Sequence, residues 1–225
     1  SFKYKIPSDV HFKSKIMNKA LDILREADFT LSDVGKIVQP AGLDDLKIKM
    51  ASDTVYKMGM GGIHSTEKWM KVEHDPDYML IDRDAASFYP MIILNQGLYP
   101  KQLTKKFIEV YRKIVMTRLK AKAEGDKRTA GTLKIVINGS FGKFGSVFSI
   151  LFAPELLIQT TISGQLYLLM LTERLELAGF NVFSGNTDGI VTRLHKDRYD
   201  EFNEIIYQWE RDTGFDTDET LYHSY

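Results

Sequence analysis

The stretch Asp84-Ala85-Ala86-Ser87-Phe88-Tyr89-Pro90 decides the fold, because it joins a predicted apolar strand, Tyr78 to Asp82, to a predicted short helix, Ser87 to Asn95. Pro90 falls near the first turn of that helix, where proline is tolerated. A carboxylate at the end of a strand is an oxygen ligand on a rigid support, and magnesium prefers oxygen ligands while keeping several waters. Asp84 is therefore a candidate metal ligand. The competing interpretation is a helix cap, a role that aspartate often fills.

A second patterned stretch, Lys134 to Gly142, follows about fifty residues later on a predicted helix. Lys134, Asn138 and Phe141 are spaced by four and three residues, so they share one face of that helix. The opposite face is predicted to pack inward and consists of Leu133, Val136 and Ile137. The basic face favours contact with a flat or phosphorylated ligand, although an ordinary surface helix explains the stretch equally well when it is taken alone.

A third stretch, Ser184-Gly185-Asn186-Thr187-Asp188-Gly189, lies about fifty residues further along the chain. It joins two predicted strands, Asn181 to Gly185 and Gly189 to Leu194, and so places Asp188 at the bend of a β-hairpin. Asparagine, aspartate and glycine are also ordinary turn residues. Taken alone, this stretch predicts a turn.

In this order and spacing, the three stretches resemble motifs A, B and C of the family B DNA polymerases. Three further segments agree. Gly59 to His64 resembles the glycine-rich segment that touches the template in phage enzymes, and Phe141 to Gly145 resembles the Y-G-K-F stretch of protein-primed phage polymerases. Thr161 to Gln165 resembles the T-x-x-G-R element before motif C, with glutamine in place of arginine. The resemblance covers roughly residues 50–220 and indicates a phage or prophage type of enzyme.

The resemblance implies a template-directed DNA polymerase that transfers a nucleotide from a dNTP to a primer 3′-hydroxyl. Two Mg²⁺ ions, with Mn²⁺ as a possible substitute, would be held by Asp84, Asp188 and the backbone carbonyl of Ala85. Two carboxylates within a few Å repel each other unless cations lie between them. The family uses two metal ions for that purpose, about 3.5–4 Å apart. The expected partners are a DNA primer–template and a dNTP; the sequence says nothing about oligomeric state.

Other site residues follow from the same resemblance. Lys134 and Arg112 would bind the triphosphate, with Arg118 as the less secure second candidate for the arginine. Tyr89 would be the steric gate that excludes a 2′-hydroxyl, although core packing also suits its ring. The remaining expected nucleotide-binding residues are Ser87, Asn138 and Phe141. The expected DNA-binding residues are Gly61, Gly62, Lys143 and Thr187.

The sequence departs from the family pattern at several positions. Asn186 replaces the first aspartate of motif C, so one carboxylate is lost beside the metals and metal affinity or preference could change. Gly139 stands for the usual serine in motif B, and Phe141 for tyrosine. Asp84, Asp188, Lys134 and Asn138 are all retained, so we expect activity in the complete protein.

Charge is unevenly distributed along the 225 residues, although the net charge is zero. Residues 101–143 contain twelve Lys/Arg against three Asp/Glu, and residues 181–225 contain ten acids against four bases. A basic block followed by an acidic block suits a protein that meets phosphate in one region and metal ions in another. Solvated helix faces are the alternative explanation.

Composition excludes several other classes of protein. The chain contains no cysteine, which excludes disulfides and thiolate-bound metals. No apolar run approaches the roughly 18 residues of a membrane span, so no membrane association is expected. The expected location is the cytoplasm, which is the host-cell cytoplasm if the protein is viral.

The predicted fold class is α+β: a polymerase palm with an antiparallel sheet and helices on one face, plus fingers formed by an α-helical hairpin. Residues 1–50 are expected to be a helical connecting segment, 51–103 the first part of the palm with motif A, and 104–142 the fingers with motif B. Residues 143–225 would be the second part of the palm with motif C, ending before a thumb. An isolated fragment of this kind is expected to be weakly active or inactive.

Two alternatives remain open from the sequence. Another palm nucleotidyltransferase, such as a reverse transcriptase-like protein, carries paired acids at one hairpin, which Asn186-Thr187-Asp188 does not supply. A non-catalytic nucleic-acid-binding module derived from a polymerase is the alternative of a different class, and Asn186 is the feature that supports it.

Overall fold

The computed structural model describes residues 1–44, 46–66 and 75–222. Its helices are α1 (Lys15–Glu26), α2 (Ala41–Asp44), α3 (Phe88–Gln96), α4 (Lys106–Ala123), α5 (Lys127–Gly142), α6 (Pro154–Leu177) and α7 (Tyr199–Thr213). Its strands are β1 (Thr30–Leu31), β2 (Ile37–Val38), β3 (Lys47–Lys49), β4 (Val55–Lys57), β5 (His64–Thr66), β6 (Tyr78–Ala85), β7 (Asn181–Gly185), β8 (Gly189–His195) and β9 (Thr217–Tyr222). Short 3₁₀ turns cover Lys101–Leu103, Lys143–Gly145 and Lys196–Arg198. This mixture of helices and antiparallel strands confirms the predicted α+β class.

The largest sheet has the strand order β7-β8-β6-β9, and every pair in it is antiparallel. β6 lies in the interior of the sheet, and its Asp84 is paired with Gly189 of β8 on one side and Asp218 of β9 on the other. Two smaller antiparallel sheets have the orders β1-β2 and β3-β4-β5. Strands that are distant in sequence therefore meet around the end of β6.

The two faces of β6 have different surroundings, because successive side chains of a strand point to opposite faces. The side chains that face α6 and α7 are Ile81, Arg83 and Ala85: two belong to the main core, and the arginine donates a hydrogen bond to Asn203 of α7. The side chains on the opposite face are Leu80, Asp82 and Asp84. On that face, Leu80 packs in a small separate cluster with Phe183 and Val191. The carboxylates thus lie on the face that these two helices leave open.

Helix α6 is buried along most of its length, and it packs against α3, α7 and the large sheet. A helix that is apolar on all sides is stable only inside a protein. Gly164 lies where α3 crosses it: a Cβ added there would be 2.9 Å from Cε1 of Tyr89 and 3.3 Å from Cε1 of Phe88. The absence of a side chain at Gly164 therefore allows the start of α3 to lie close to α6.

Helices α4 and α5 form the predicted antiparallel hairpin. Gly125 turns the chain at a φ of +77°, and Asp126 caps α5 by accepting a hydrogen bond from the Thr129 amide at 3.0 Å. A second apolar cluster joins the hairpin to α3 and includes Ile93, Leu94, Tyr111, Val115, Ile137 and Phe144. The prediction that Val136 packs inward is wrong, because its side chain is 44% exposed.

The sequence pattern also predicts a strand over residues 53–62 and another over Trp69 to Val72. The strand expected over residues 53–62 is paired only at Val55–Lys57, because the glycines that follow are bound by a side chain of α6, as described below. The strand expected over Trp69 to Val72 lies outside the described residues. None of the described helices is both long enough and apolar enough to cross a membrane.

Candidate active site

A cleft of about 550 Å³ opens between the sheet and the helical hairpin. Its walls come from the β6–α3 junction, from the facing sides of α4 and α5, from the β7–β8 turn, and from β9. The predicted site residues that line it are Asp84, Ala85, Ser87, Tyr89, Lys134, Asn138, Phe141, Thr187 and Asp188. Residues from all three sequence motifs therefore meet at one place.

Asp84 occupies the penultimate position of β6. The next amide, that of Ala85, donates a hydrogen bond to the carbonyl of Asp188 at 2.7 Å, so the backbone itself ties the first motif to the third. Helix α3 begins only at Phe88, with Ser87 as its N-cap residue at a φ of +50°. The interpretation of Asp84 as the cap of this helix is thus wrong, and its carboxylate is directed to the cleft.

Carboxylates crowd this part of the cleft. Partial burial, followed by the negative charges of Asp82, Asp188 and Asp218, raises the pKa of Asp84 to about 6. The pKa of Asp82 is also raised, mainly by burial and despite a 2.8 Å hydrogen bond from the Tyr222 hydroxyl. A site where negative charge has accumulated in this way is stabilised by a bound cation.

The turn that carries Asp188 is held by Asn186. The Asn186 side-chain oxygen accepts hydrogen bonds from the amides of Asp188 at 3.3 Å and Gly189 at 3.1 Å. In this conformation the Asn186 oxygen shapes the turn. Steric space explains why a glycine occupies position 189. A Cβ at Gly189 would lie 2.1 Å from an Asp84 carboxylate oxygen. The glycine therefore makes room for the carboxylate.

The helical hairpin brings cations and an aromatic ring to the cleft. Lys134, Asn138 and Phe141 all line it from α5, as their shared helix face predicted. The rings of Phe141 and Tyr89 are 4.9 Å apart between centroids. Burial raises the pKa of Tyr89 to about 12, so its hydroxyl stays protonated at neutral pH.

The two candidate arginines occupy different positions. Arg118 lines the cleft and donates a 2.7 Å hydrogen bond to the hydroxyl of Ser87. Arg112 is exposed on α4 and is not among the residues that line the cleft. Of the two arginines, Arg118 is therefore the one that faces the cleft, although the sequence ranked it second.

The glycine-rich segment and Lys143 lie outside the cleft lining. Gly62 nevertheless packs on its edge, because an added Cβ would be 2.5 Å from the Thr187 hydroxyl oxygen. Gln165 of α6 holds the same segment: its amide nitrogen donates to the carbonyls of Gly59 at 2.7 Å and Gly61 at 2.6 Å, and its oxygen accepts from the Gly59 amide at 3.1 Å. Gln165 thus positions the segment against the Asp188 turn.

Sequence reasoning missed three polar residues at this site: Asp82, Lys122 and Asp218. Lys122 of α4 forms a 3.0 Å ion pair with Asp218 of β9, which joins the hairpin to the sheet across the cleft. Asp82 and Asp84 are two residues apart on one strand, so their side chains share a face of the sheet. The sequence does show this spacing. Asp218 has no local signal, because only the pairing of β9 with β6 brings it there.

The donor set at the cleft suits Mg²⁺ rather than a softer metal. Among the described residues, no group of three or more His, Cys, Asp or Glu side chains is arranged to hold a metal ion. Asp84, Asp188 and the Ala85 carbonyl offer hard oxygen atoms, and Mg²⁺ commonly binds through one or two carboxylates plus water and substrate phosphates. Ions of that kind fit this cleft, where burial and like charges raise the pKa of Asp84.

No protein-family model matches the chain, and no curated protein matches it. Among solved structures, it is similar to the family B DNA polymerase from the hyperthermophilic archaeon Pyrobaculum calidifontis, with a TM-score of 0.50 and 16% sequence identity. The match covers 70% of this chain and 26% of that polymerase, so the chain spans about a quarter of its length. The chain therefore has a polymerase-like α+β fold.

Proposed function

We propose that the chain is the palm and fingers of a family B DNA polymerase of the phage or prophage type, which acts in viral or prophage DNA replication. The observation that carries the proposal is the meeting of Asp84, Asp188 and Lys134 around one cleft, although about fifty residues separate each from the next motif. In this proposal residues 51–103 and 143–225 form the palm, residues 104–142 form the fingers, and residues 1–50 connect to them. The phage assignment rests on the resemblance of the glycine-rich and Phe141–Gly145 segments alone.

The reaction would be transfer of a nucleotide from a dNTP to a primer 3′-hydroxyl. Asp84 and Asp188, with the Ala85 carbonyl, would hold two Mg²⁺ ions. When bound, these ions would lower the pKa of the 3′-hydroxyl and stabilise the charge on the triphosphate and leaving pyrophosphate. Positioning and charge stabilisation supply most of the catalysis in such transfers.

The chain's other residues would bind and orient the nucleotide. Lys134 and Arg118 line the cleft and would be cations for the triphosphate, and Arg112, outside the lining, is the other candidate. Asn138 and Phe141 would line the nascent base pair. The Tyr89 ring would lie under the sugar and leave no room for a 2′-hydroxyl. Thr187, Gly61, Gly62 and Lys143 would contact the primer–template.

A titration of this chain with dATP, with and without Mg²⁺, tests the proposal. We expect Mg²⁺ to raise dATP affinity at least about tenfold, and we expect Asp84→Asn and Asp188→Asn to remove that gain. Lys134→Ala should weaken dATP binding with and without Mg²⁺, because it removes a charge from the triphosphate site. Asp33→Asn, at an exposed turn remote in sequence from the motifs, is the matched control. Affinity that does not respond to Mg²⁺ would contradict the proposal.

A second candidate function is a non-catalytic DNA-binding module derived from a polymerase. It is favoured by Asn186, which removes one carboxylate from the third motif and uses its remaining oxygen in the turn. Primer extension by the full-length protein separates the two functions. Extension that is lost in Asp84→Ala and Asp188→Ala supports the enzyme, whereas DNA binding without any extension supports the module.

A further inference from the structure

A loop directly after α5 presents unusually exposed apolar side chains. Phe148 is 97% exposed and Ile150 is 72% exposed, the highest values for a large apolar side chain on this loop. Val147 beside them contacts the β1–β2 turn, where a Cβ at Gly35 would be 2.3 Å from a Val147 methyl group. Val34, on the same turn, is 68% exposed. We call Val34, Val147, Phe148 and Ile150 the Phe148 patch.

The loop that carries this patch is held by hydrogen bonds. Gln102 donates to the carbonyls of Ile150 at 2.8 Å and Phe152 at 3.0 Å. The Ala153 amide donates to the Phe144 carbonyl at 2.9 Å, which closes the loop at its base. An aromatic ring on a loop tied at this many points is presented to solvent with little freedom to fold back. Exposed apolar surface of this kind commonly marks an interaction site.

Charge and position indicate which partner covers the patch. Residues 127–154, which include α5 and this loop, contain four Lys/Arg and no Asp or Glu. Phe141 of the same segment lines the cleft, and its ring lies 6.2 Å from that of Phe144, whose carbonyl closes the base of this loop. Single-stranded nucleic acid is bound by this combination of basic groups along the backbone and aromatic rings against the bases. A second copy of the chain or an acidic protein would also contact the basic groups. Neither partner accounts for the position of the loop beside the cleft.

We propose that the Phe148 patch binds the unpaired template strand next to the cleft, with the Phe148 ring stacked on a base. This inference rests on the proposed polymerase function and adds a contact outside the three motifs. Stacking on an aromatic ring tolerates every base, so the site would hold the strand without reading its sequence.

Anisotropy measurements with two labelled DNAs test the inference on the full chain. One is a primer–template with a single-stranded template overhang of about ten nucleotides, and the other is a blunt duplex of the same duplex length. We expect Phe148→Ala to weaken binding of the overhang DNA by about fivefold to a hundredfold. Binding of the blunt duplex should change by less than about twofold. Phe148→Trp should retain overhang binding and show fluorescence quenching by the overhang DNA that exceeds the wild-type change.

Leu177→Ala is the matched control, because Leu177 is a 59% exposed apolar residue on α6 outside the patch. It should bind both DNAs like wild type. Equal overhang affinity for Phe148→Ala and wild type would overturn the inference while leaving the Mg²⁺-linked dATP binding as separate support for the proposed function. A wild-type chain that does not prefer the overhang would overturn it too. Light scattering that shows a wild-type dimer, and a monomer for Phe148→Ala, would instead assign the patch to a second copy.

Discussion

Asp84 and Asp218 are directly paired across the antiparallel strands β6 and β9, and both line the cleft. Directly opposed residues lie on the same face of a sheet, so these two carboxylates repel each other. Lys122 reaches Asp218 from the helical hairpin at 3.0 Å and offsets part of that repulsion. The charge at Asp84 is therefore linked to the position of α4.

The first prediction concerns the pKa of Asp84 in two opposite variants. Lys122→Ala should raise it above about 6, because Asp218 loses its neutralising partner. Asp218→Asn should lower it, because one neighbouring negative charge is removed. A pH titration of the side-chain carboxyl carbons by NMR measures both. Lys120→Ala, which removes an exposed ion pair with Glu124 on the same helix, should leave the Asp84 pKa unchanged. Shifts of the same sign in both variants would contradict this linkage.

The second prediction is that Asp84→Asn stabilises the metal-free protein above pH 6. The folded-state pKa of about 6 exceeds the ordinary aspartate value of 3.8, so the folded state binds more protons between these values and wild-type stability falls as pH rises through them. The asparagine avoids that loss. Allowing for screening of a partly exposed group, we expect a gain of roughly 1 kcal/mol at pH 8 that disappears below about pH 4. Urea denaturation at both pH values measures it.

Asp33→Asn serves as the control for that measurement and should show no such pH-dependent gain. Added Mg²⁺ should stabilise wild type and not Asp84→Asn, since a ligand that binds only the folded state raises its stability. An Asp84→Asn protein that is less stable than wild type at pH 8 without metal would contradict the described electrostatics.

The third prediction compares two glycines in helices. Gly164→Ala should destabilise the protein by about 1–3 kcal/mol, because the new methyl group would meet the ring of Tyr89 at 2.9 Å inside the core. Gly131→Ala should instead stabilise it by about 0.5–1 kcal/mol, because nothing lies within 4 Å of the added Cβ and alanine favours a helix. Denaturant unfolding of the two variants should show opposite signs.

The fourth prediction concerns the binding of the glycine-rich segment by Gln165. Gln165→Met keeps the volume and removes three hydrogen bonds, so it should cost about 2–4 kcal/mol of stability. Hydrogen exchange at the Gly59 amide should become faster than in wild type. Gln208→Met, which removes only exposed hydrogen bonds on α7, should cost less than about 1 kcal/mol. Unchanged exchange at Gly59 would show that Gln165 does not hold the segment.

The fifth prediction tests the steric gate. Tyr89→Ala in the full-length protein should raise ribonucleotide incorporation relative to deoxyribonucleotide incorporation by at least about tenfold, because the ring would no longer exclude a 2′-hydroxyl. Tyr89→Phe keeps the ring and should discriminate like wild type. Primer extension with each nucleotide measures the ratio. A Tyr89→Ala enzyme that still rejects ribonucleotides would leave the ring with a packing role against Phe141 and α6.

Local sequence patterns predicted the elements that carry the motifs. Asp84, Lys134 and Asp188 sit on the strand, helix and turn that spacing and turn chemistry indicated. Contacts between distant segments could not be predicted in this way. Asp218 carries no local signal, and only the register of β9 against β6 places it beside Asp84.

The choice between the two arginines shows the same limit within one helix. Arg112 and Arg118 are six residues apart on α4, so their side chains point in different directions around the helix axis. The sequence shows that both are basic residues on a helix, but it does not show which side of α4 will face α5 and the sheet. Packing of the apolar cluster around Tyr111 and Val115 sets that rotation.

The strand order also governs when the cleft can form during folding. Both edges of β6 are paired only when β8 and β9 are present. β8 begins more than a hundred residues after β6, and β9 follows β8. Contacts of such long sequence separation form slowly, because the entropy of closing large loops opposes them. During synthesis, Asp84 and Asp188 would come together only after β8 has left the ribosome, and Asp218 would join them only after residues 217–222 have followed. The proposed metal site is therefore among the last features to mature, and β6 spends that interval with open strand edges.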